Sequence, residues 1–475
     1  MKPFSVALLG LFIGSCLLLN STVTFILLAI IAYIWLLLKY PEIALFLTIL
    51  VIFNCFSMMN EDTLRLPFLF RLRDVMLLSI WIPFLLGCCK RDEIINSIFQ
   101  SPVAKAIVFI FFIVALQLFL TKIRFPQESL NSMIRMGRRY LYYGLFFPAM
   151  YILYNPIKRE RFIVLSVSAV SLFSILFIIQ FFVGDHFMFF PYGRLSLQIL
   201  SGAGVNRLYV SGVVSVTLLF DICLMLVVFV RGKSKYLLAG VLLFGLQTIL
   251  LFGRAHNFGV VTGVLFAFFV AKEHNKLKKI FIFGLVSIFF AGILAVGVSS
   301  IFPEKRNPIE IMMTRTFSTF DAVINRDDTF GARLEDSAGR LDLIRQYPIF
   351  GVGFLHDDAN LFSFNKGTIA RSFRTGDSGV LSLMMDFGFF GVFILLILSF
   401  LLFKRILHVY NVLSNPSLRA VVLGVTAFYF GRLFSFITLA DFVVYDGIVV
   451  VCLSLVILEL IALKGEFGGL INNHC

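Results

Sequence analysis

Apolar residues run along this chain in blocks of roughly 16–24, each closed by a short polar or basic interruption. A block of that length is what an α-helix needs to cross the hydrocarbon core of a bilayer. The pattern predicts about fourteen membrane helices, with 12–14 as the range. They fall near 4–19, 22–39, 42–58, 74–89, 102–121, 137–155, 161–183, 209–230, 235–252, 255–271, 279–301, 380–403, 417–437 and 442–463. Connections such as Asn20-Ser21 and Lys39-Tyr40-Pro41 leave almost no loop between blocks. One stretch breaks the rhythm, the charged segment 302–379. The expected fold is therefore an all-α polytopic membrane protein in three parts. Residues 1–301 form a bundle of about eleven helices, 302–379 one long, partly helical extracytoplasmic loop, and 380–475 three more helices. Inside the long loop, residues 332–347 read as an amphipathic helix. Leu334, Ala338 and Leu341 share one face, and Arg333, Asp336 and Arg340 another. Pro348 ends that helix, and Gly351 and Gly353 make a turn.

Composition agrees: 59% of the 475 residues are hydrophobic, which excludes a string of soluble domains. Met1-Lys2 before an apolar run, with Ser15-Cys16 inside it, has some features of a signal peptide. The run continues through Leu17-Leu18-Leu19 into a second span, so a retained first helix is expected, with the N-terminus in the cytoplasm. Alternate loops then carry Lys2, Lys39, Lys90/Arg91, Lys158/Arg159/Arg161, Arg231/Lys233/Lys235, Lys272 through Lys279, Lys404/Arg405/Arg419 and Lys464. The positive-inside rule puts those loops in the cytoplasm. The opposite loops are poor in lysine yet hold Arg65, Arg71, Arg73, Arg124, Arg135, Arg138, Arg139, Arg194, Arg207, Arg254 and Arg432. The net charge of +14 is split across two membrane faces, which argues for anionic lipid and against nucleic acid as partner. The seven cysteines sit in spans, at a span end or at the C-terminus, with neither a disulfide framework nor zinc spacing.

Topology alone does not call for outer-side arginines. A planar guanidinium fork suits phosphate, so an anionic, phosphate-bearing substrate at the outer leaflet is expected. Gly253-Arg254-Ala255-His256-Asn257 is wedged between two apolar runs, which puts Arg254 at the membrane boundary. A charge there faces a cavity or a partner, or else snorkels as a topological anchor. Arg207, in Gly204-Val205-Asn206-Arg207-Leu208, falls on the same face, and two guanidinium groups can embrace a diphosphate leaving group. Asp377 stands where the long loop re-enters the membrane. It can orient or deprotonate an attacking hydroxyl, or cap the helix that starts near Val380. Arg135, Arg138 and Arg139 open the sixth span, where they either admit a lipid head group or, the favoured reading, sit among lipid phosphates. No metal is expected: His356-Asp357-Asp358 are contiguous and do not readily converge on one ion. No phosphate-binding Gly-x4-Gly-Lys loop is present, so the energy for bond formation must arrive in the substrate itself.

Four short motifs, in order, carry a resemblance: Gly253-Arg254-Ala255, the stretch from Arg340 to Pro348-Ile349-Phe350-Gly351-Val352-Gly353, Asp377-Ser378, and Gly388 through Gly391. Pro41 and Arg73-Asp74 fit more weakly. Residues 200–391 resemble the bacterial O-antigen ligase and O-antigen polymerase family of lipid-linked sugar transferases. The resemblance implies a multi-pass enzyme of the bacterial inner membrane with its active site facing the extracytoplasmic side. It implies glycosyl transfer without a metal or other cofactor, from an undecaprenyl diphosphate-linked oligosaccharide to a hydroxyl of a second glycan or lipid. A flippase and a chain-length regulator are further partners it implies. Arg207, Arg254 and Arg340 would hold the diphosphate, with Arg254 and Asp377 at the catalytic centre. In the ligase branch the pair at Asp377-Ser378 typically begins with a histidine; its absence tilts the expectation toward a polysaccharide polymerase. The ligase is the near alternative. A lipid-linked oligosaccharide flippase is the alternative of another class, but no two similar halves are visible and the charges gather at one boundary. A purely structural scaffold leaves Arg254 and the arginine bias unexplained.

Overall fold

The computed structural model describes residues 21–59, 71–90, 92–183, 188–200, 203–230, 235–251, 254–272, 340–355 and 378–471. Its helices are α1 Ser21–Lys39, α2 Pro41–Ile52, α3 Leu72–Ser79, α4 Trp81–Cys89, α5 Glu93–Gln100, α6 Pro102–Arg124, α7 Leu130–Gly137, α8 Phe146–Tyr154, α9 Pro156–Val183, α10 Val213–Phe229, α11 Lys235–Leu250, α12 Arg254–Ala271, α13 340–346, α14 Gly379–Val412, α15 Pro416–Ser435 and α16 Tyr445–Ile471. Starts are encoded locally. Ser101 accepts from the amides of Val103 and Ala104 ahead of Pro102, and Asn415 from those of Ser417 and Leu418 around Pro416.

Among the described residues, six helices are long and apolar enough to cross a membrane: Leu72–Cys89, Pro102–Arg124, Pro156–Phe181, Gly379–Val412, Pro416–Ser435 and Tyr445–Leu463. Five shorter apolar helices accompany them: Ala29–Lys39, Pro41–Ile52, Val213–Phe229, Lys235–Leu250 and Ala255–Ala271. The expected spans at 4–19 and 279–301 lie outside the described residues, as does most of the long loop. Two other expected spans are interrupted. The one at 42–58 ends in a left-handed turn, Asn54 to Ser57, all at positive φ. The one at 137–155 opens as a 3-10 helix, Arg138–Leu145, before α8. Helix dominates as expected, but the all-α reading misses a hairpin in which β1 Arg194–Leu200 pairs antiparallel with β2 Ala203–Tyr209, Ser196 opposite Arg207.

The tightest helix pair is α12 with α15. Gly259-x3-Gly263 faces Ala427-x3-Gly431, so a Cβ on Gly259 would lie 2.7 Å from the Gly431 carbonyl, and one on Gly263 would collide with Ala427 O. Small residues four apart let two backbones touch where lipid offers no hydrophobic drive to pack helices. Gly424 of the same α15 lies against the backbone of Ile222 in α10. Three apolar helices are thereby locked in register.

Candidate active site at the arginine-rich end of the bundle

The polar side chains gather where α3, the 3-10 helix, α10, α12, α14 and α16 begin and where α6 and α15 end. Asp74 is buried in the first turn of α3. It accepts from Arg71 N at 2.8 Å, from Tyr142 Oη at 2.7 Å and pairs with Arg138 at 2.9 Å. The guanidinium of Arg73 lies 3.7 Å over the Tyr445 ring at the start of α16. One residue on, Arg139 pairs with Asp386 of α14, which also accepts from Tyr140 Oη at 2.6 Å. Asp386 is fully buried. An unpaired ion in that setting is prohibitive, so pairing and hydrogen bonding are the condition of its presence. Arg138 and Arg139 are therefore not among lipid phosphates, contrary to the reading favoured from sequence; Arg135 alone of the three is exposed.

The segment 340–355 docks beside this pair. Gly351 and Gly388 both adopt φ of +66°, and a Cβ on Gly351 would lie 2.5 Å from Gly388 N. Phe389 N donates to Pro348 O at 2.9 Å, Phe390 N to Ile349 O at 3.1 Å, and Gly353 N to Met385 O at 3.1 Å. Gln117 of α6 clamps both sides, donating to Phe350 O at 2.7 Å and Asp386 O at 2.6 Å, while Arg124 donates to Gly351 O at 2.7 Å. The two glycine motifs singled out in the sequence are thus the two halves of one backbone joint, which only residues without a Cβ can close. The faces of α13 are reversed from expectation. Arg340 is 1% exposed and Leu341 is 40% exposed. The residues before 340 in the predicted amphipathic helix lie outside the described ones.

A second polar corner forms where α15 ends. Arg432, 1% exposed, donates to His256 Nδ1 at 2.8 Å and to Asp441 at 3.1 Å, and its other terminal nitrogen lies 3.1 Å from His256 Nε2. Thr217 Oγ1 of α10 closes the chain at 2.7 Å from His256 Nε2. The small-residue seam of α12 and α15 sets this contact, since His256 stands one turn before Gly259 and Arg432 follows Gly431. Tyr143 Oη donates to Phe442 O at 3.0 Å, tying the corner to the Arg138/Arg139 side.

Of the four residues expected to carry chemistry, Arg254 opens α12 two positions before His256, so its backbone stands at this corner. Asp377 lies outside the described residues, but its neighbour Ser378 is the N-cap of α14 and donates to Ile437 O at 2.8 Å. Ser378 thus holds the capping position that was the bland alternative for Asp377. Arg207 stands in β2, and the chain from its hairpin returns through Gly212, whose amide donates to Asp446. Arg340 is buried at the start of α13. Sequence reasoning missed Asp74, Asp386, His256 and Arg432 as linked groups. A lone aspartate inside an apolar run, as in Met384-Met385-Asp386-Phe387, was the available signal. Among the described residues, no cluster of three or more metal-ligating side chains occurs.

These features define an integral membrane protein with a buried, arginine-rich site at one end of its helices. Residues 239–396, about a third of the chain, match the family model described as O-antigen ligase, in line with the resemblance carried by the sequence motifs. The matched stretch contains Arg254, Arg340, Asp377, Asp386 and both halves of the glycine joint; Arg207, Arg139 and Arg432 lie outside it. No curated protein matches the chain significantly.

Proposed function

We propose that the protein polymerises a surface polysaccharide of O-antigen, capsule or exopolysaccharide type at the outer leaflet of a bacterial inner membrane. It joins undecaprenyl diphosphate-linked oligosaccharide units. Arg207, Arg254 and Arg340 grip the donor diphosphate and stabilise its charge as it leaves. Asp377 orients the acceptor hydroxyl and takes its proton while that oxygen bonds to the anomeric carbon, and the bond from that carbon to the diphosphate oxygen breaks. Attack in line inverts the anomeric centre, and the proton passes on to the released diphosphate. The observation that carries the reading is the convergence at one corner: the turn bearing Arg254, the start of α14 beside Asp377, and the Arg432–Asp441 turn.

The ligase reading is favoured by the family description itself. The aspartate at 377, where ligases typically carry histidine, supports the polymerase. Gel electrophoresis of surface glycan from a deletion strain separates the two. Lipid-anchored glycan reduced to one repeat unit, with the ladder gone, is the polymerase outcome. Loss of lipid-anchored glycan with long chains left on the polyprenyl carrier overturns it in favour of the ligase. Loss of surface glycan with untransported units held at the inner leaflet points to a flippase.

A further inference from the structure

The foot of the β1–β2 hairpin is held by a strained turn. After α2 the chain runs left-handed from Asn54 to Ser57, with φ of 49°, 46°, 57° and 66°. Four successive L residues keep that conformation only where their surroundings over-determine it. The Phe56 ring stacks on Phe173 of α9 at 4.2 Å, and a Cβ on Gly212 would lie 2.8 Å from the same ring. In a right-handed helix the Ser57 carbonyl would face the amide four residues on. Here it accepts from Tyr192 N at 3.1 Å, while Ser57 Oγ accepts from Ser211 N at 3.0 Å. Tyr192 stands two residues before β1 and Ser211 two after β2, so the register that pairs Arg194 with Tyr209 sets them opposite one another. One buried residue thus grips both strands where their own ladder stops. The bond from the Gly212 amide to Asp446 also ties the returning chain to α16.

A two-stranded hairpin has little stability of its own, so its base sets its aim. Arg207 is four residues from Ser211, about 13 Å along a strand, and a tilt of about 5° at the base moves it by about 1 Å. A shift of that size is enough to spoil the placement of a charged group in a site. We propose that Ser57 is a positioning residue for the donor diphosphate, acting through the hairpin: its two hydrogen bonds fix where Arg207 stands. The proposal rests on the reading of Arg207 as a diphosphate-binding residue. Ser57, Tyr192, Arg207 and Ser211 all precede the stretch that matches the family.

The test is binding of geranylgeranyl diphosphate to the full-length protein in detergent. Ser57→Gly keeps the left-handed turn accessible and deletes Oγ. Ser211→Pro deletes the donor instead. Gly212, at φ +80° and ψ 0°, has the conformation of the third residue of a type II turn, whose second position takes proline. Each substitution should weaken binding about tenfold, the loss of one contact to a charged group. In an Arg207→Gln background neither should weaken it further, because residues that act as one unit are not additive. Wild-type affinity in Ser57→Gly and Ser211→Pro, with Arg207→Gln weak, overturns the proposal alone. So does an undiminished loss when position 207 is already glutamine, since the serine then serves the bundle at large. Arg207→Gln that binds like wild type sinks the diphosphate reading of Arg207 itself, and the proposal with it.

Discussion

The two polar corners of this end of the bundle differ in how their charges are satisfied. Around α3 and α14, two neighbouring arginines each meet a carboxylate: Arg138 meets Asp74 and Arg139 meets Asp386, with tyrosine hydroxyls donating to the same carboxylates. Around α12 and α15, Arg432 shares a histidine and one aspartate at the edge of the core, with Arg254 opening the neighbouring helix. The first arrangement is closed and holds helices together. The second joins its arginine to a histidine as well as a carboxylate, and it is the corner we propose for the anion.

Breaking the closed corner should cost most. Asp386→Ala strands Arg139 in the core, and removing one member of a buried pair costs about 3–5 kcal/mol. The variant should lose most of its folded yield in detergent thermal-melt assays. Replacing both partners, as Arg139→Met with Asp386→Leu, should recover much of it; a double variant no better than the single shows that the pair does more than satisfy itself. At the second corner the balance shifts from stability to rate. Arg254→Gln should reduce polymer about 100-fold or more, in line with losing one donor to a developing negative charge, at unchanged protein level. Full ladders in a well-expressed variant would remove Arg254 from the mechanism. Gly263→Leu forces α12 and α15 apart, with an expected loss on the order of 1–3 kcal/mol from overpacking and a secondary fall in polymer as His256 leaves Arg432. Smallest is Thr217→Val. It removes one hydrogen bond to His256, costs about 1 kcal/mol, and should show as a modest shift in melting temperature.

How far the sequence foretold this depends on where the information sits. Helices written as long apolar blocks are present, and the Arg340-to-Gly353 and Gly388-to-Gly391 motifs do mark important backbone. Their mating was illegible because the joint is made of amides and carbonyls, which every residue carries; only the missing Cβ atoms leave a trace. The hairpin from Arg194 to Tyr209 looks like loop in the sequence because its alternation is short and interrupted by Gly202 and Gly204. In the sequence, Arg138 and Arg139 point to lipid because a basic pair at a span boundary usually faces head groups. Their true partners lie 64 and 247 residues away along the chain, respectively (138 − 74 and 386 − 139). Arg254, Arg207, Arg340 and Asp377 stand out in the sequence by their chemistry and by the resemblance.

Gly388 gives α14 a second consequence. Its backbone turns at φ +66° and ψ −159°, so the helix is two segments meeting at an angle that segment 340–355 fills. In order of synthesis the filler is made first and the broken helix afterwards. The wedge and the α6 side chains that hold it, Gln117 and Arg124, are thus all encoded upstream of the helix they shape.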